Sequence, residues 1–68
     1  MVEPGQLRRW SSDGRLMLVL EPSSHPRLGW IEHGWIVLDV GSGEEPYFEP
    51  ENAIEHFSTL CNTDDGVV

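Results

Sequence analysis

The chain has no lysine, a single cysteine and no long hydrophobic run, and each absence closes off a class of protein. Its only fixed positive charges are Arg8, Arg9, Arg15 and Arg27, set against twelve carboxylates for a net charge of -8. A balance that acidic argues against tracking nucleic-acid phosphates or binding an anionic lipid surface. Cys61 has no second cysteine to pair with, so no internal disulfide supports the fold. Small secreted domains rely on such bridges, and their absence points to a reducing compartment or to a partner that supplies burial. No apolar stretch approaches the ~18 residues of a membrane span, and the opening Met1 to Gln6 carries no basic segment followed by an apolar one. The expectation is a soluble protein with no membrane association, in a cytoplasm or in an assembled particle.

What the sequence does contain is two dense apolar runs, Leu16 to Leu20 and Trp35 to Val40, bounded by Gly, Pro and Ser clusters. Such runs read as buried strands. A chain of 68 residues is a single domain of marginal stability, because at this size only roughly 60% of the unfolded surface is buried. Gln6 to Trp10 alternates as a short strand, and Asp13-Gly14 is a strong hairpin signal because glycine accepts positive φ without steric cost. The second strand spans Arg15 to about Glu21. Pro22-Ser23-Ser24-His25-Pro26 predicts an irregular loop, since proline removes ladder donors. Leu28 to Glu32 is either a short strand or the far arm of that loop, and His33-Gly34 breaks the chain before the strand Trp35 to Val40.

Gly41 to Glu45 then reads as a tight turn into an edge strand, Pro46 to Glu49. Pro50-Glu51-Asn52-Ala53-Ile54 has the proline and early acid of a helix start, with room for one 3₁₀ turn. His56, Phe57 and Leu60 close the sheet in a last short strand. The two-residue period is read with Leu16, Leu18, Ile36 and Leu38 inward, which sends Trp35 and Val37 outward. Residues 1–60 form the domain and 61–68 an acidic tail expected to fray.

The resulting order is an all-β one: five short strands with a 3₁₀ turn before the last, the connectivity of a small SH3-like barrel. Pro4-Gly5-Gln6-Leu7-Arg8-Arg9-Trp10, Gly14 to Glu21, Trp35 to Asp39 and Tyr47 to Ile54 together resemble small SH3-like proteins of tailed bacteriophages. The resemblance spans about Val2 to Phe57. It implies a barrel fold and a viral origin, and no reaction, since most members of that group have no assigned activity.

Candidate chemistry is sparse. His25, His33, His56 and Cys61 form no paired ligand spacing, so neither a metal nor another cofactor is expected. Ser23 and Ser24 beside His25 lack the orienting acid and oxyanion donors of acyl transfer, and Glu44 and Glu45 are neighbours on a turn that point apart. No enzymatic activity is expected. The three tryptophans are too many for so small an interior, and exposed Trp and Arg dominate protein interfaces. The candidate partner-binding set is therefore Trp10, Trp30 and Trp35 with Arg8 and Arg9 as orienting charges. The expected function is a non-catalytic interaction or structural module that docks to a larger protein assembly or to itself, without direct nucleic-acid contact. An alternative is a small acidic inhibitor whose carboxylates, from Glu44 to Asp65, imitate nucleic acid or cap a basic site.

Overall fold

The first hairpin forms where the Asp-Gly pair predicts it. In the computed structural model, which describes residues 1–61, β1 (Leu7–Trp10) turns through Gly14, at φ 74°, into β2 (Leu16–Arg27). The Trp10 N–H donates to the Arg15 carbonyl at 2.8 Å, the Gly14 N–H to the Trp10 carbonyl at 2.9 Å, and the Asp13 carboxylate accepts the Arg15 N–H at 3.0 Å.

Past Glu21 the structure departs from the expected loop. β2 continues through both prolines to Arg27 and returns as β3 (Trp30–Asp39), with a two-residue Leu28-Gly29 turn between them. The physical reason lies in spacing. Pro22 and Pro26 are four residues apart and so present their nitrogens to the same edge of β2. Along this stretch that edge has no neighbouring strand among the described residues, so a missing N–H breaks no ladder bond. Between Val19 and Glu21 the register shifts at a bulge, which leaves Leu20 outside the pairing.

β4 (Tyr47–Pro50) runs back along β3, α1 (Glu51–Phe57) follows, and β5 (Ser58–Leu60) pairs with β1. The five strands form one antiparallel sheet in the order β4-β3-β2-β1-β5, which stays open with β4 and β5 as its edges. In place of the expected 3₁₀ turn, α1 is an α-helix of seven residues. Pro50 at its start supplies a fixed φ of -62°, Glu51 places a negative charge in the first turn, and the Ser58 N–H closes the last turn on the Ile54 carbonyl.

The core also corrects the sequence reading by one residue. Val2, Met17, Val19, Val37 and Ile54 are buried together, with Trp10, Trp35 and Tyr47 packed against them. The inward set on the long hairpin is thus Met17, Val19, Trp35 and Val37. Leu16, Leu18, Ile36 and Leu38 lie on the opposite, outer face and are only partly buried. Both sets are apolar, so alternation alone separates them without saying which faces α1; Ile54, the one buried residue of that helix, decides it.

Candidate interaction surface

β1 leaves β2 after Leu18, and β4 leaves β3 at Gly34, so among the described residues the pairs from Ser24↔His33 to Arg27↔Trp30 have no third strand beside them. They form a two-stranded arm, and the molecule measures 47 × 25 × 21 Å. At the tip Leu28 is fully exposed, while Trp30 and Ile31 are 57% and 59% exposed. Gly29 turns the tip at φ 86°, a conformation that other residues adopt only under strain. Arg27 braces it across the strands, donating from Nη2 and Nε to Glu32 Oε1 at 2.6 and 3.0 Å. Nearer the body the His25 ring stacks on Phe48 with centroids 4.1 Å apart. A shallow groove runs beside the arm, between Trp30, Ile31 and His33 on one side and Pro50, Glu51 and Asn52 on the other.

The five residues expected to bind a partner are divided between the two faces of the sheet. Trp35 was read as outward; it is on the inner face against the core, where its Nε1 donates to Glu51 Oε1 at 3.1 Å and ties α1 to β3. Trp10 also packs against the core. Arg8 is 7% exposed, its Nε donating to Ser58 Oγ at 2.9 Å and its Nη1 to Gln6 Oε1 at 3.1 Å, so it joins β1 to β5. Arg9 is exposed on the outer face, with Nη1 bonded to the Gly14 carbonyl at 2.9 Å, and Trp30 is on the arm. Sequence reasoning missed Leu28 and Ile31, which lay in the segment read as either a short strand or the far arm of the loop, and the outer-face leucines, which it placed in the core. The equal parity of Pro22 and Pro26 is the signal that could have revealed the arm.

The polar groups of the body are largely engaged with one another. Arg15 sits among Asp13, buried Asp39 and Glu44 and forms ion pairs with all three. Among the described residues no three His, Cys, Asp or Glu side chains gather to hold a metal ion, and no helix is long and apolar enough to cross a membrane. Of the acidic stretch proposed to imitate nucleic acid, Glu44 and Glu45 lie exposed in the irregular segment between β3 and β4, Glu51 is bound to Trp35, and Asp64 and Asp65 are outside the described residues.

Glu49 pairs with Trp35 on the inner face, and its burial there raises its carboxyl above the ordinary glutamate value of 4.5. A raised pKa means that the folded chain holds this proton more tightly than the unfolded one. The resulting stabilisation is complete below the ordinary value and is lost as pH rises through the folded one. Glu49→Gln should therefore melt at a higher temperature than the parent at pH 7, with the gap closing below about pH 4. Equal melting temperatures at neutral pH would count against this burial cost.

Comparison of the chain with protein-family models, with curated proteins and with solved structures finds no match.

Proposed function

We propose that the chain is a non-catalytic protein-interaction module, an SH3-like barrel encoded by a tailed bacteriophage, that docks to a larger protein assembly in the host cytoplasm or in the virion. The observation that carries this reading is the arm. Three large apolar side chains, Leu28, Trp30 and Ile31, are displayed at the tip of a braced ribbon, whereas among the described residues the core contains five buried apolar residues. Exposing apolar surface in so small a fold forgoes burial that would stabilise it, and a tip that exposes Leu28 at its turn and Trp30 and Ile31 on its two faces offers a partner apolar contacts on both sides. Support for the barrel comes from connectivity: a four-strand meander, a short helix, and a last strand that returns beside the first.

The test is affinity capture with the parent chain and with Trp30→Ala, followed by titration of the species that only the parent retains. Loss of a tryptophan anchor should weaken binding about 30-fold, equivalent to about 2 kcal/mol, with unchanged melting temperature. Equal capture by both chains would remove the arm from the interface. Binding that instead falls steeply with added salt would favour the acidic-inhibitor alternative.

A further inference from the structure

The outer face of the sheet presents a second apolar surface. Leu7, Leu18 and Leu38 form a row across β1, β2 and β3, Leu16 stands on one side of that row, and Ile36 beside Phe48 on the other. All six are partly exposed, and among the described residues no element packs over them, since α1, Val2 and the inward tryptophans are on the opposite face. This face is also electrically distinct. Its charged strand residues are Arg9 and Arg27 against Glu21 and Glu32, two positive and two negative, so it is neutral in a chain of net charge -8.

We propose that this face is the interface of a two-fold homodimer. A second copy is the occupant that the charges favour, because two strongly acidic molecules can approach only where the local charge cancels. The arrangement is self-complementary. Arg9 is level with Leu16 at one end of the leucine row and Glu21 is level with Ile36 at the other. A two-fold axis lying across the strands at Leu18 exchanges the two ends and brings Arg9 of each copy within reach of Glu21 of the other. Size is sufficient as well. Without the arm the face projects over about two thirds of a 47 × 25 Å side, about 800 Å², which is room for a contact on the scale of a standard interface. The contact is isologous and closes, which leaves both arms free at the ends of the dimer.

The proposal rests on reading the chain as an interaction module, and its test separates the two claims. Sedimentation of the full chain over a concentration series should give twice the 7.7 kDa chain mass. Leu18→Glu should yield a folded monomer. Arg9→Glu and Glu21→Arg, both at exposed positions, should each weaken dimerisation at least about tenfold, and combining them in one chain should restore it. Because exposed charge changes leave the core untouched, this cycle decides the matter even if Leu18→Glu unfolds. A chain that remains monomeric throughout overturns the dimer while leaving the arm's docking role standing. A dimer lost on Trp30→Ala but indifferent to the charge exchange also overturns it, since copies would then pair through their arms.

Discussion

Gly34→Ala should abolish the packing of β4 on β3 and lower stability by about 2–3 kcal/mol or more. A methyl group built at Gly34 would collide with the Glu49 carbonyl oxygen and stand 2.8 Å from both Phe48 Cζ and Pro50 Cα. Two of these neighbours are backbone atoms of the strand paired with it, so neither can swing aside. The Phe48 ring lies across the glycine because no side chain stands there, and from that place it reaches His25. The substitution should thus loosen the root of the arm together with the edge strand, seen as a lower melting temperature and faster amide exchange in β4. An unchanged melting temperature would show that the strands can separate without cost.

Met17→Ala is the second large effect. Met17 is completely buried in a five-residue apolar core, and truncating such a side chain costs about 2–5 kcal/mol. A chain of this length has roughly 3–10 kcal/mol to lose, so the variant should be partly or wholly unfolded at room temperature. The companion variant Leu38→Ala, on the outer face, should cost about 1 kcal/mol or less in a monomeric sample. Chemical denaturation of both decides the register. The reverse ranking would place the leucines inside and remove the basis for the outer interface.

That ranking also shows how much of the fold could be read in the sequence and where the reading stopped. Strand positions were legible wherever a turn had distinctive chemistry, as at Asp13-Gly14, and so was the short helical segment after Pro50. The side on which the core forms was not. Met17, Val19 and Val37 alternate with Leu16, Leu18 and Leu38, and no local property of either set says which will meet Ile54, more than fifteen residues away in the chain. Beyond Val19 the bulge moves the inward parity of β2 from odd to even residues, so alternation extended past it assigns every side chain to the wrong face. Proline frequency misled in a similar way: it marks a loop only when the missing donors would have had acceptors. The exposure of the candidate binding residues was legible only in part. Of its five residues, Arg9 and Trp30 are exposed, whereas Arg8, Trp10 and Trp35 hold the interior together.

The prolines of β2 have a further consequence. An isolated two-stranded ribbon with apolar side chains is a template for strand addition, the route by which exposed edges recruit other chains into fibrils. Along 22–26 the outer edge of β2 offers no donor at two of its outward-facing positions, so an incoming strand would find its ladder interrupted there. That edge is barred to backbone pairing, and a partner approaching it must recognise side chains. The prolines thus make the β2 edge of the arm a poor seed for aggregation while the tip keeps its apolar side chains exposed.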